Sequence, residues 1–110
     1  MGLYGIYGEH TQEACPLYNE ENRKYLLRAT PTMEKGAQKY NVKIVQQYHS
    51  GLEHTFLWVV EADDAHSVED LMGPTAGRFN TIKIVPLTTY QELIERLKKV
   101  EAGTFFQDNA

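Results

Sequence analysis

The chain has 110 residues, the size of one domain, and its 42% hydrophobic and 24% charged content is that of a folded globular protein. That composition excludes a disordered tail, a collagen-like fibre and a disulfide-rich toxin. Eleven Lys and Arg against fifteen Asp and Glu leave a net charge of −4, which argues against a nucleic-acid partner, and a single cysteine cannot form an internal disulfide.

No basic stretch followed by an apolar run opens the sequence, and the longest apolar run, Phe56 to Val60, falls far short of the ~20 residues a bilayer demands. The expectation is a cytoplasmic protein with no membrane partner. In chain order, residues 3–9 read as a strand in which aromatic and β-branched residues alternate with glycines. A loop over residues 10–17 follows, ending in Cys15 and Pro16. A helix is expected from about Asn19, with a break or kink at Pro31, because Thr30–Pro31 would suit the start of a second helical piece. Tyr25, Ala29, Met33, Ala37 and Tyr40 recur at helical spacing and predict its inward face.

A second strand is expected from Val42 to His49, a tight connection over Ser50–Glu53, and a third strand over residues 54–62. Asp63 or Asp64 should cap a short helix carrying Val68, Leu71 and Met72 inward, stopped by Gly73–Pro74. A fourth strand runs from Thr81 to Leu87. Thr89-Tyr90-Gln91-Glu92 has the capping-box pattern and opens a last helix striped with Leu93, Ile94, Leu97 and Val100. The expected domain covers residues 1–102, with a loose tail over 103–110 in which Phe105 and Phe106 offer a docking element. The element order β-α-β-β-α-β plus a helix is the ferredoxin-like α+β plan, with an antiparallel sheet in the order 4-1-3-2.

The third strand is apolar on both faces: His54, Phe56, Trp58 and Val60 share one, Thr55, Leu57, Val59 and Glu61 the other. The chain's own helices cover one face only. A second copy of the sheet is the simplest cover for the other, so a homodimer, or a higher oligomer built from it, is expected.

The segment from His54 to Met72 (HTFLWVVEADDAHSVEDLM) and the later FNTIKIVPLTTYQELIERL resemble the small dimeric α/β-barrel proteins. These include the antibiotic-biosynthesis-monooxygenase-like, muconolactone-isomerase-like and EthD-like groups. The resemblance rests on the acidic Glu61-Ala62-Asp63-Asp64 closing the third strand and on Val85-Pro86-Leu87 ending the fourth. It implies a dimeric α/β barrel. It does not imply one chemistry, because the superfamily hosts oxygenases, isomerases, haem enzymes and regulatory domains.

Three of the four histidines are expected to converge. His10 ends the first strand, His49 ends the second and His54 begins the third, and the topology brings those ends to one edge of the sheet. Cys15 lies in the adjoining loop, with Glu9 and Glu53 near. His10-x4-Cys15 and His49-x4-His54 are spacings compatible with paired ligands across a loop, so His10, His49 and His54 are read as ligands for a divalent transition metal: zinc, iron or copper. Two or three histidines with a carboxylate would suit iron, and a closed Cys–His set structural zinc. Cys15 is placed on a surface loop and read as a candidate catalytic thiol, its thiolate favoured by the helix start at Asn19 and opposed by Glu13, Glu20 and Glu21. The sulfur-oxidising oxygenases of related fold pair a cysteine with iron held by two His and a Glu; this chain has those residue types at other spacings. Gly8 shares the face of His10 and marks room for a small ligand, or for an aromatic such as Tyr48 or Trp58.

Haem-degrading members of the same fold group place a Trp on the third strand and a His on the following helix. Trp58 and His66 resemble that pair, while the Asn those enzymes carry on the first strand is missing. The residues thus leave four readings open: a metal-dependent or thiol-assisted oxygenase or isomerase acting on a small molecule, a non-catalytic metal or small-ligand sensor or carrier, a haem-binding monooxygenase-like protein, and a structural dimer with no site.

Overall fold

The structure is a computed structural model, and it describes residues 1–104. The elements are β1 (Gly2–Glu9), α1 (Glu20–Lys39), β2 (Lys43–Ser50), β3 (Thr55–Ala62), α2 (Ala65–Met72), a 3-10 turn (Ala76–Arg78), β4 (Thr81–Leu87) and α3 (Tyr90–Glu101). The four strands form one antiparallel sheet in the order β2-β3-β1-β4, the ferredoxin-like layout with an added C-terminal helix. The expectation of a loose tail carrying Phe105 and Phe106 lies outside the described residues. Among the described residues, no helix is long and apolar enough to cross a membrane.

Register decides what each face of the sheet carries. Tyr4, Ile6 and Gly8 of β1 pair with Val60, Trp58 and Phe56 of β3 and with Pro86, Ile84 and Ile82 of β4. These residues make the inner face. Ile6, Phe56 and Val60 are buried there with Met33 and Ala37 of α1 and Val68, Leu71 and Met72 of α2. Trp58 packs against the same cluster, so it belongs to the helix-covered face, and the second face falls to Leu57 and Val59. Burial of roughly eleven such side chains, at about 25 cal/mol per Å² of apolar surface, supplies the main driving force of folding.

β2 departs from simple alternation. Its register shifts between Ile44 and Gln46, so that Val45 is the extra residue of a β-bulge. Ile44 pairs with Val60 on the inner face, and beyond the bulge Gln47 pairs with Trp58 and His49 with Phe56. Without the bulge, His49 would point to the outer face.

The break expected in α1 does not occur. The helix runs from Glu20 to Lys39 with Pro31 inside it. Pro31 is exposed, as is Leu27 one turn earlier, so the Leu27 carbonyl that loses its amide donor faces water. Asn19 caps the helix by accepting from the Asn22 amide at 2.9 Å. Asp64, not Asp63, caps α2. Its Oδ1 accepts from the Ser67 amide at 2.8 Å and from the Ser67 hydroxyl at 3.0 Å, and those bonds hold its carboxyl below the usual aspartate range. Thr89 caps α3 through the Glu92 amide at 3.1 Å.

α3 buries none of its residues, and Leu93, Leu97 and Val100 lie on its exposed surface. The last helix therefore does not cover the outer face of the sheet. The molecule is correspondingly long and thin, 56 × 31 × 18 Å.

Gly8 is required by a close approach. A Cβ built on it would lie 2.0 Å from Cε2 of Phe56, its cross-strand partner. The aromatic that fills the space over Gly8 is therefore Phe56, and neither Tyr48 nor Trp58. Gly8→Ala should displace the Phe56 ring and, with it, Trp58, whose ring centroid is 5.8 Å away. Overpacking of this kind costs about 1–3 kcal/mol. Chemical denaturation checks it; an unchanged unfolding midpoint would contradict the packing described.

Candidate functional site

The ends of β1 and β3 and the loop before α1 build one cluster. His10 follows β1 directly, and its backbone amide donates to the His54 carbonyl at 3.0 Å, extending the β1–β3 pairing past its last strand residues. His54 closes the hairpin from β2 in a left-handed conformation, φ 55°. Non-glycine residues rarely adopt it, at a cost of roughly 1–2 kcal/mol. The Ser50 hydroxyl accepts from the Glu53 amide at 3.2 Å and braces the turn from the other side.

Cys15 arrives from a loop coiled into turns. Its amide donates to the carbonyls of Thr11 and Gln12, and its own carbonyl accepts from the amides of Tyr18 and Asn19. The first turn of α1 then ties the loop down: Asn19 Nδ2 donates to the Glu13 carbonyl at 3.0 Å and Asn22 Nδ2 to the Ala14 carbonyl at 2.8 Å. The result corrects the surface-loop expectation. Cys15 has no exposed surface at all, because the turns fold its side chain inward against the sheet end.

One ligand atom from each of His10, Cys15 and His54 lies within 4.8 Å of the other two. Two of these groups are incomplete as hydrogen-bonding partners. Nε2 of His10 and Nδ1 of His54 are buried with no hydrogen-bond partner. Leaving a buried polar atom unpaired costs about 1–3 kcal/mol, so two of them beside a buried sulfur need a physical reason. A metal ion bound at the three atoms would supply one.

His49 reaches the same end of the sheet by way of the β2 bulge. Its ring stacks on that of His10, centroids 5.6 Å apart and planes within 6°. It does not belong to the group of three mutually close ligand atoms. Partial burial and the neighbouring His10 and His54 push its pKa below the ordinary histidine value, in that order of importance, so the ring tends to stay neutral. Phe79 meets His10 edge-on at 6.2 Å, and Tyr18 meets His54 at 6.1 Å. Neither Glu9 nor Glu53 joins the cluster. His66 is exposed on α2, away from these residues.

Sequence reasoning missed Asn80. Its Oδ1 lies 2.7 Å from Nδ1 of His10, seventy positions away in sequence. The signal is weak in the sequence, since an Asn before a strand is an ordinary turn residue. Beside the cluster a cavity of about 410 Å³ opens between the sheet and α1. It is lined by Leu17, Leu26, Phe56, Trp58 and Phe79, with His10 and Asn80 at its polar end. Gln47 and His49 also line it, and among the described residues no Asp, Glu, Lys or Arg does.

The chain belongs to a family described as a domain of unknown function, DUF3303, whose profile matches residues 13–101. The match takes in Cys15, His49, His54 and Asn80 and begins just after His10. No curated protein matches the chain.

Burial of Cys15 gives a direct expectation. In the native protein without added metal, iodoacetamide should modify it slowly, and denaturant should speed the reaction by orders of magnitude. Equal rates in the folded and unfolded protein, read by mass spectrometry, would contradict the placement of the thiol.

Proposed function

We propose that the protein is a transition-metal-binding protein in which His10, Cys15 and His54 hold one zinc or copper ion per chain. The observation that carries this reading is a fully buried cysteine with a ligand atom within 4.8 Å of one from each of two histidines, each of which also carries a buried, unbonded nitrogen. Two imidazoles and a thiolate form a borderline-soft donor set that suits zinc and copper. Iron is disfavoured, because its open sites draw on a carboxylate, and none is among the three close ligand atoms. Three protein ligands leave a fourth position, which is the pattern of reactive and exchangeable sites, whereas closed structural sites use four. His49 would have to turn towards the cluster to fill that position. Cys15 acts in this reading as a ligand thiolate, its burial shielding it from service as a freely accessible nucleophile. The adjoining apolar cavity is the place for a small-molecule ligand, which leaves both a metal-dependent enzyme and a sensor or carrier in play.

Zinc titration of the metal-stripped protein tests the reading. We expect about one zinc per chain and a raised melting temperature, since a ligand that binds only the folded state stabilises it. His10→Ala, Cys15→Ala and His54→Ala should each lower zinc affinity at least tenfold, His49→Ala by less, and His66→Ala not at all. No uptake by the parent, or equal uptake by all five variants, would end the proposal.

A homodimer accompanies this reading. Two surfaces are apolar and unpartnered among the described residues: the outer sheet face with Leu57, Val59 and the exposed Tyr7 and Tyr48, and the α3 stripe of Leu93, Leu97 and Val100. A two-fold pair covers both at once, because each copy supplies the same two surfaces to the other. Membership of the dimeric α/β-barrel superfamily is part of the same proposal. Light scattering at micromolar concentration should give about twice 12.6 kDa, and Val59→Asp should yield monomer. A monomeric parent would sink the dimer and leave the metal proposal standing.

A further inference from the structure

We infer that Asn80 is a positioning residue of the metal centre, which fixes His10 in the one neutral tautomer that presents a lone pair to the ion. The inference rests on the reading of His10, Cys15 and His54 as ligands.

The geometry starts at the Asn80 carboxamide. Its Nδ2 donates to the Ala76 carbonyl at 2.7 Å, at the start of the 3-10 turn. A carbonyl only accepts, so that bond sets which end of the amide is nitrogen. Oδ1 is then the end that faces His10, 2.7 Å from Nδ1. An amide oxygen also only accepts. The proton of neutral His10 must therefore sit on Nδ1, and the lone pair on Nε2. Nε2 is the nitrogen that is buried and unbonded, in the residue that belongs with Cys15 and His54.

The ring has little freedom to escape this arrangement. His49 stacks on its face and Phe79 meets it edge-on. The Asn80 backbone is held in turn between the 3-10 turn and the start of β4, whose Thr81 pairs with Glu9, the residue before His10. The chain of donors and acceptors from Ala76 through Asn80 to His10 is complete, and it ends in a lone pair with no protein partner. A metal ion terminates that chain where another hydrogen-bond donor would otherwise be needed. Partners of this kind typically govern affinity by 10–100-fold.

The test separates this role from the metal reading. Histidine nitrogen NMR on metal-free protein at about pH 8, above the ordinary imidazole pKa of ~6.5, reads the tautomer directly. We expect His10 of the parent to carry its proton on Nδ1, and Asn80→Ala to move population to the Nε2-protonated form. In parallel, zinc affinity should fall 10–100-fold in Asn80→Ala. It should stay within about tenfold of the parent in Asn80→Asp, whose carboxylate still accepts from Nδ1–H. An Nε2-protonated His10 in the parent would overturn the inference, as would an Asn80→Ala protein with unchanged tautomer and unchanged zinc affinity. If Asn80→Ala does not fold, the parent spectrum and the Asp variant still decide. A parent that takes up no zinc but shows the Nδ1 tautomer would refute the metal centre while upholding the Asn80 contact.

Discussion

The open end of the sheet is organised around two histidine nitrogens that have been withdrawn from water without being given protein partners, in the company of a buried cysteine. Nε2 of His10 and Nδ1 of His54 are buried and unbonded, and Cys15 beside them is fully buried. Folding normally pairs such groups or leaves them in water, because an orphan polar atom costs about 1–3 kcal/mol. Here several separate devices act to bury them. The β1–β3 pairing is extended by the bond from His10 to His54. His54 accepts a left-handed backbone. The first turn of α1 uses Asn19 and Asn22 to fasten the Cys15 loop. Backbone strain of this kind persists only where the surrounding structure holds it, and on the proposed reading a bound ion would satisfy the two nitrogens.

The second organising feature is one-sidedness. The helices α1 and α2 cover the inner face, where Ile6, Phe56 and Val60 sit, and nothing in the chain's described residues covers the outer one. The site lies at the end of the covered face, next to a cavity walled by Phe56, Trp58 and Phe79. Its position is therefore set by the same core that stabilises the fold: Gly8 admits Phe56, Phe56 packs against Trp58, and both wall the cavity beside His10.

The fold was legible in the sequence because its signals are local. The β1 run of aromatic and β-branched residues alternating with glycines, the apolar run of β3, an aspartate cap at Asp63 or Asp64, the Thr89 cap and the Gly73–Pro74 stop each identify an element without reference to the rest. Strand order followed from the element order. Three features were not legible. Pro31 reads as a breaker by its local chemistry, and only the water-facing side of α1 explains why the helix continues through it. Val45 reads as one more strand residue, whereas pairing with β3 makes it a bulge, and that bulge turns His49 inward. Cys15 reads as a surface residue from its polar neighbours, while the turns that bury it are fastened by the side chains of Asn19 and Asn22, up to seven positions away. Convergence of His10, His49 and His54 was legible from topology alone. The partner of His10 was not, because Asn80 meets it across seventy residues of sequence.

X-ray absorption at the zinc edge of the zinc-loaded protein tests the central claim most directly, because it reads the donor atoms themselves. The account predicts one sulfur at about 2.3 Å and imidazole nitrogens at about 2.0–2.1 Å, the zinc–thiolate and zinc–histidine distances, with the sulfur shell lost in Cys15→Ala. A first shell of oxygen and nitrogen alone in the parent protein would place the ion elsewhere and contradict the account.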